Sequence, residues 1–143
     1  GEQGVVKNYE QAFKWLTAAD QNGSVGAKYS LGMMYFTGTG VEKDMKRAFE
    51  YFAKAADKGH AKAQYNLGVL YDRGEGTAQN YEQAFEWYSR AAEQGYPPAE
   101  YNLAHLYKKV TASLKAMNKP LSGTPKRLSI MKAMPSTTWP RCI

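Results

Sequence analysis

The chain has 143 residues, 43% of them hydrophobic, and a net charge of +6, so it is long and apolar enough to form a buried core. A single cysteine excludes an internal disulfide, and no apolar run approaches the roughly 18 residues of a membrane-spanning helix. The chain begins with a glycine and no apolar leader, so we expect the natural N-terminus to be missing, and the composition fits a cytoplasmic, periplasmic or secreted protein.

The positive charge is confined to the C-terminal part of the chain. Residues 1–109 contain 13 basic and 13 acidic residues, whereas residues 110–143 contain six basic residues, no acidic residue and four of the six prolines. A basic segment of this kind can bind polyanions such as nucleic acid. That interpretation depends on residues 110–143 alone, because the rest of the chain is neutral.

The chain aligns with itself at a spacing of 36 residues. Alanine, aromatic, glycine and leucine positions all recur in the same order. The recurring sets include Ala12, Ala48 and Ala84; Phe13, Phe49 and Phe85; Trp15, Tyr51 and Trp87; Gly23, Gly59 and Gly95; Tyr29, Tyr65 and Tyr101; Leu31, Leu67 and Leu103; and Tyr35, Tyr71 and Tyr107. A repeat of this length predicts a unit of two helices, named A and B in that order, and the chain begins in mid-unit with a B helix.

Six helices are predicted from the helical spacing of the apolar residues, as in Ala27, Leu31 and Met34. They are a B helix at 8–22, an A helix at 25–37, a B helix at 44–58, an A helix at 61–73, a B helix at 80–94 and an A helix at 97–109. One helix pair cannot bury its own apolar stripe, so we expect the pairs to stack as an all-α superhelix.

Residues at the predicted helix ends agree with this division. Asn8 and Asn80 each precede a glutamine by three residues, as in a capping box at the start of a B helix. Gly23 and its equivalents follow the B helices, where a left-handed residue commonly ends a helix. Gly32 and Gly68 lie inside A helices, where glycine costs roughly 1 kcal/mol relative to alanine, and they indicate close approach of a B helix.

Residues 27–59 read A-x-Y-x-L-G-x-x-Y-x-x-G-x-G-V-x-x-D-x-x-x-A-F-x-Y-F-x-x-A-A-x-x-G, a pattern that resembles the Sel-like repeat (SLR) family of tetratricopeptide-like repeats. The resemblance covers residues 4–109. It implies an α-α superhelix that serves as a protein–protein interaction scaffold or adaptor, without catalytic residues or a cofactor. It also leads us to expect a bacterial protein.

The A helices carry a row of side chains that points away from the Leu31 stripe. If the A helices line the concave face, as in stacked helical hairpins, this row can form a groove for an unidentified protein or peptide. The predicted partner-binding residues are Tyr29, Met33, Phe36, Tyr65, Val69, Asp72, Tyr101 and His105. Alternatively, the three tyrosines pack between neighbouring A helices. The rings predicted to lie in the core are Phe13, Trp15, Phe49, Phe52, Phe85 and Trp87.

Residues 110–143 break the repeat, with Val110 at the position of a turn glycine and Pro120 inside the expected B helix. A one-base shift of the reading frame restores a Gly-x-Gly turn and several repeat alanines, so we interpret the segment as a frame-shifted fourth repeat. We therefore predict no nucleic-acid partner for its basic residues. The last A helix then lacks its B helix, which predicts self-association at the C-terminal end; a tail folded back as a lid is the alternative.

Catalysis is the alternative function. Some SLR relatives have been assigned activity on peptidoglycan or β-lactams, but no nucleophile with a base at suitable spacing is evident here. His60 and His105 have no second histidine or cysteine at ligand spacing, so no metal site is predicted. The Gly-x-Gly pairs, such as Gly38 and Gly40, lie between two predicted helices and are interpreted as turns rather than phosphate-binding loops.

Overall fold

A computed structural model describes residues 2–116, with side chains for residues 8–112. These residues form six helices and no strand. In chain order the helices are α1 (Glu2–Gln21), α2 (Val25–Thr37), α3 (Met45–Asp57), α4 (Ala61–Arg73), α5 (Tyr81–Glu93) and α6 (Pro97–Ala116). Each helix packs mainly on its neighbours in sequence, so the predicted all-α solenoid of helix pairs is confirmed. Within the described range, no helix combines the length and apolarity needed to cross a bilayer.

The inner helices begin at a side chain that accepts a hydrogen bond from the backbone N–H three residues further on. The four N-cap residues are Ser24, Asp44, His60 and Asn80. The prediction for Asn80 is confirmed, since its carboxamide oxygen lies 3.2 Å from the amide nitrogen of Gln83. Gly38 and Gly74 end α2 and α4 with φ of 71° and 70°, a left-handed conformation that favours glycine.

The first and last helices are longer than the repeat predicts. Asn8 lies inside α1 instead of capping it, because α1 already begins at Glu2 and no described helix precedes it that would impose a turn. At the other end, α6 continues past residue 109 to Ala116. Val110 stands where Gly38 and Gly74 stand, and it lacks the glycine preference for the left-handed conformation that ends a helix.

The core consists of leucines from the A helices packed on alanines and rings from the B helices. Leu31, Leu67 and Leu103 are at most 1% exposed, and burial of each such side chain contributes roughly 1.5–3 kcal/mol. The predicted close approach at the mid-helix glycines is confirmed, and the approaching group is a ring. A Cβ on Gly32 would lie 2.8 Å from the ring of Phe52 in α3.

Trp15 does not lie in the core. Its side chain is 76% exposed, whereas Trp87, two repeats of 36 residues further on, is 8% exposed. Trp87 belongs to the cluster that contains Leu67 and Leu70 of α4, so it is buried by the A helix that precedes its own B helix. No A helix precedes α1 within the described residues, and Trp15 therefore faces solvent.

Candidate functional site

The predicted groove corresponds to a row of equivalent positions on α2, α4 and α6, which we name the A face. It comprises Tyr29, Met33 and Phe36 on α2; Tyr65, Val69 and Asp72 on α4; and Tyr101, His105 and Lys108 on α6. Because the three helices belong to successive units of one repeat, the row runs along the stack from unit to unit. Its members differ greatly in accessibility.

On α2 the row is partly covered by the following unit. The ring of Tyr29 stacks on His60 with centroids 4.6 Å apart and lies 5.9 Å from Phe52 of α3. Burial there raises the pKa of the Tyr29 hydroxyl. Asn66 of α4 donates a side-chain N–H to the sulfur of Met33 at 3.4 Å. Tyr29 is therefore in part a packing residue, although its side chain remains half-buried.

On α4 the tyrosine is held in the same way by the next unit. The ring of Tyr65 lies 5.8 Å from Tyr88 and 5.4 Å from Tyr96, and its hydroxyl accepts a hydrogen bond from Asn102 at 3.2 Å. Substitution of Tyr65 is therefore expected to reduce stability even without a partner. For Tyr29 and Tyr65 these contacts fit the packing interpretation of the tyrosine row.

A chain of polar contacts crosses from α4 to α6 beside Tyr65. Asn102 also donates to the Tyr88 hydroxyl at 3.4 Å, and that hydroxyl donates to a carboxylate oxygen of Asp72 at 3.4 Å. Lys109 forms an ion pair with the same carboxylate at 3.4 Å. Burial raises the pKa of the Tyr88 hydroxyl, so it remains a donor at neutral pH. Asp72 is thus accessible only in part and is occupied by contacts between helices.

Val69 does not belong to an accessible groove. Its side chain is 8% exposed and lies in the cluster that includes Phe85 and Tyr88 of α5 and Leu103 of α6. A helix in the middle of the stack has neighbours on both sides, so a position equivalent to an accessible residue on an end helix can be covered. The prediction that Val69 contacts a partner requires correction for this reason.

On α6 the row is open. Tyr101 is 72% exposed, and its ring stacks on His105 with centroids 6.4 Å apart. The positions that would cover Tyr101, equivalent to Phe52 and His60 for Tyr29, are 124 and 132. These lie outside the described residues, as does most of the segment interpreted as a frame-shifted repeat.

The asparagines that link successive units are absent from the sequence prediction. Asn66 and Asn102 lie 36 residues apart and each contacts the A face of the preceding unit, so the repeat register contains the signal. The role of His60 as an N-cap was also not predicted, because histidine is uncommon at that position; its Nδ1 accepts from the amide of Ala63 at 3.1 Å.

Metal binding and catalysis each require a particular grouping of side chains. Among residues with described side chains, no three His, Cys, Asp or Glu residues are grouped so that they could hold a metal ion. A cleft beside the turn from α2 to α3 is lined by Tyr35, Val41, Glu42, Lys43, Asp44 and Arg47. This cleft contains ionic and aromatic groups but no serine, cysteine or histidine that could act as a nucleophile or base.

Comparison with known proteins identifies the repeat. A profile of the Sel1 repeat family matches residues 1–24, 25–60, 61–96 and 97–109. The crystal structure of a Sel1 repeat protein from Oxalobacter formigenes is similar with a TM-score of 0.65 and 40% identity, over 68% of this chain and 40% of that one. A protective antigen of uropathogenic Escherichia coli strains with an SLR fold has a TM-score of 0.69 and 26% identity, over 93% of this chain and 28% of that one. The chain thus spans less than half of either protein, and no curated protein matches it.

Proposed function

The chain belongs to the Sel1 repeat family, and on that premise we propose that it is a non-catalytic adaptor whose A face binds a segment of a partner protein. Sel1 repeats form helical scaffolds that generally serve protein interaction. The finer assignment to the A face is supported by its partial accessibility. Met33 and Phe36 on α2 remain half-buried, and Tyr101 and His105 on α6 are exposed.

The half-buried apolar side chains of α2 carry this proposal. Met33 and Phe36 lie one turn apart on a helix that is packed between α1 and α3, so their positions are fixed before any partner binds. A preformed apolar surface loses little conformational entropy on binding. The partner segment that fits it has apolar side chains on one side, as in an amphipathic helix or an extended strand, with polar groups toward the exposed Lys108.

A selection with random peptides tests the proposal without knowledge of the natural partner. Peptides would be selected from a phage-displayed library on the whole chain, and their affinities measured for the chain and for two A-face variants, Met33→Glu and His105→Glu. Each substitution places a charge on the row, at the half-buried Met33 or at the exposed His105. We expect the selected peptides to lose roughly tenfold or more in affinity for Met33→Glu, because a charge would have to be desolvated at an apolar contact.

The matched control is Lys54→Glu, which changes the charge at an exposed position of the B helix α3. Peptides that bind the A face should retain their affinity for this variant. Equal binding to all three variants, or loss of binding only with Lys54→Glu, would contradict the A face as the binding surface. Circular dichroism of each variant would establish that the fold is unchanged.

A further inference from the structure

The turn between α1 and α2 contains Asn22-Gly23, the one place in the chain where asparagine is followed by glycine. The other asparagines, which leucine, tyrosine or lysine follows, are Asn8, Asn66, Asn80, Asn102 and Asn118. Asparagine is chemically labile in proteins, because the backbone nitrogen of the next residue can attack its carboxamide. Glycine has no side chain to hinder this approach. The sequence therefore favours the reaction most at Asn22.

The fold requires the glycine of this pair but not the asparagine. The equivalent glycines of the three turns are Gly23, Gly59 and Gly95, with φ of 88°, 88° and 80°. In each turn the amide of the glycine donates to the carbonyl oxygen three residues earlier, so the three backbones are alike. The residue before the glycine is Lys58 in the second turn and Gln94 in the third. Asparagine at this position is thus particular to one unit and is not needed for the turn.

The position before the turn glycine is exposed in every described unit. Asn22 is exposed, and so are Lys58 and Gln94 in the two later turns. Exposure of Asn22 is therefore a property of this type of turn and does not depend on how many units flank it. A Cβ on Gly23 would meet no atom within 4 Å apart from its chain neighbours, so water has access to the reacting pair.

From these observations we propose that Asn22 is a modification site, at which the folded chain converts asparagine to a mixture of aspartate and isoaspartate. The amide nitrogen of Gly23 loses its proton and attacks Cγ of Asn22. An N–C bond forms, the bond from Cγ to the carboxamide nitrogen breaks, and that nitrogen leaves with a proton as ammonia. The product is a five-membered succinimide ring.

Hydrolysis of the ring completes the conversion. Water adds to one of the two ring carbonyls and breaks its bond to the Gly23 nitrogen, which takes up a proton. Cleavage at Cγ gives aspartate, and cleavage at the backbone carbonyl gives isoaspartate, in which the chain runs through the side chain. One water is consumed and one ammonia released, with no oxidant, reductant or enzyme. The reaction does not involve the A face, so it is independent of the proposed peptide binding.

The folded turn limits the rate of this reaction. The amide of Gly23 donates to the carbonyl oxygen of Asp20 at 2.8 Å, and this hydrogen bond must break before the nitrogen can attack. The reaction thus proceeds from a locally opened turn, which requires less free energy than unfolding of the whole chain. Gln94-Gly95 provides an internal standard, because it has the same turn but its longer side chain would have to close a six-membered ring, which forms more slowly.

The modification is expected to weaken the junction of α1 and α2. The amide of Ser24 donates to the carbonyl oxygen of Ala19 at 3.0 Å, and the Ser24 side chain caps α2. Isoaspartate adds one methylene group to the backbone between these residues and so displaces Ser24 from that hydrogen bond. The new carboxylate also lies at the C-terminal end of α1, where a negative charge is unfavourable.

The stability of the modified chain tests this effect. The isoaspartate form, separated by ion exchange, should melt lower than the unmodified chain by about 2–4 °C. Asn22→Asp has the same charge without the extra methylene group and should melt closer to the unmodified chain. Equal melting temperatures of all three would overturn the effect on the junction.

Peptide mapping by mass spectrometry tests the site itself. The full 143-residue chain would be incubated in mildly alkaline buffer and digested at intervals. We expect the peptide with Asn22 to become acidic roughly tenfold or more faster than the peptides with Gln94 or with the other asparagines. Asn22→Lys copies Lys58 of the next unit, so it should fold normally and show no conversion in this peptide.

A parallel incubation in denaturant separates the chemistry of the pair from the effect of the fold. Conversion of Asn22 in both samples, slower in the folded one, is the expected result. Asn22 that converts in denaturant but stays intact in the folded chain would show that the turn protects it and would overturn the proposal. Equal rates at Asn22 and at the other asparagines of the folded chain would overturn it as well.

Discussion

Two glycines in the middle of A helices determine how closely the B helices approach. At Gly68 the space of a side chain is taken by the ring of Tyr88, which is fully buried and donates its hydroxyl to Asp72. Tyr88 cannot shift without disturbing this hydrogen bond and its contacts with α6. The glycine is therefore required by a neighbouring side chain, although it lowers the intrinsic stability of the helix.

Gly68→Ala is expected to lower the free energy of unfolding by roughly 1–3 kcal/mol, because the new methyl group overlaps the ring of Tyr88. The matched control is Gly26→Ala in α2. The nearest neighbouring atom to a Cβ at Gly26 is the Ser24 hydroxyl oxygen at 4.0 Å, so alanine there should stabilise by roughly 0.4–1 kcal/mol. Denaturant unfolding would measure both, and equal effects of the two substitutions would contradict this account.

His60 makes the start of α4 sensitive to pH. Its Nδ1 accepts a hydrogen bond from the Ala63 amide, which requires a neutral ring with a free lone pair on that nitrogen. Burial, together with the nearby charge of Lys62, lowers the pKa of His60. The pKa of His60 is therefore lower in the folded chain than in the unfolded chain. At pH values between these two, the imidazole of the unfolded chain binds a proton more readily than that of the folded chain.

The free energy of unfolding should consequently fall as the pH decreases from about 6.5, the value of an unperturbed histidine, through the lower pKa of the folded chain. An N-cap hydrogen bond contributes about 1 kcal/mol to the free energy of unfolding, so we expect a decrease of this size. His60→Ser provides the control, since Ser24 caps α2 at the equivalent position. Between about pH 8 and about pH 5, the free energy of unfolding should decrease less for His60→Ser than for the unsubstituted chain. Equal decreases in the two proteins would refute the role of His60.

At the scale of single elements, glycine placement decides where the A helices end. Helices α2 and α4 each end at a glycine with positive φ, and the amide of that glycine donates to a carbonyl four residues earlier. Helix α6 has Val110 at this position and continues to Ala116. A β-branched residue is strained at positive φ, so continuation of the helix is the favoured conformation here.

Val110→Gly is expected to shorten α6, because it allows the left-handed turn and weakens the helix by roughly 1 kcal/mol at that residue. Backbone chemical shifts of residues 110–116 would report the change. Val110→Ala is the control and should keep these residues helical, since alanine favours the helix. Helical shifts at residues 110–116 in both variants would show that the end of α6 is determined by other contacts.

At the scale of the whole molecule, stability should decrease from the middle of the stack toward its ends. In a linear repeat array each helix is stabilised by its immediate neighbours, and α1 and α6 have described neighbours on one side only. Side chains follow this trend, from the fully buried Ala55 and Leu67 of α3 and α4 to the exposed Trp15 and Tyr101 of α1 and α6. The end helices are therefore the elements expected to open first.

Amide hydrogen exchange would test this gradient. At low protein concentration we expect the slowest exchange in α3, α4 and α5 and faster exchange in α1 and α6, because local opening of an end helix breaks fewer contacts. Uniform protection across all six helices would contradict the gradient.

Much of the fold follows from local properties of the chain, which is why the sequence alone predicts it. The 36-residue spacing, the helical spacing of Ala27, Leu31 and Met34, and the turn glycines act within one unit. Backbone conformation and the apolar stripe of a helix depend on residues a few positions apart. The all-α solenoid, the cap at Asn80 and the close approach at Gly68 therefore follow from the repeat pattern and from the residue types at its helix ends.

Burial, in contrast, depends on whether a neighbouring unit is present, and only the tertiary structure decides it. Trp15 and Trp87 occupy the same repeat position, yet one is exposed and the other buried, because among the described helices only that of Trp87 is preceded by an A helix. Val69 is covered although its equivalent His105 is exposed. Equivalent residues share a helix face through their local sequence, but the atoms that cover that face come from the adjacent unit. The accessible part of the A face is therefore a property of the assembled units.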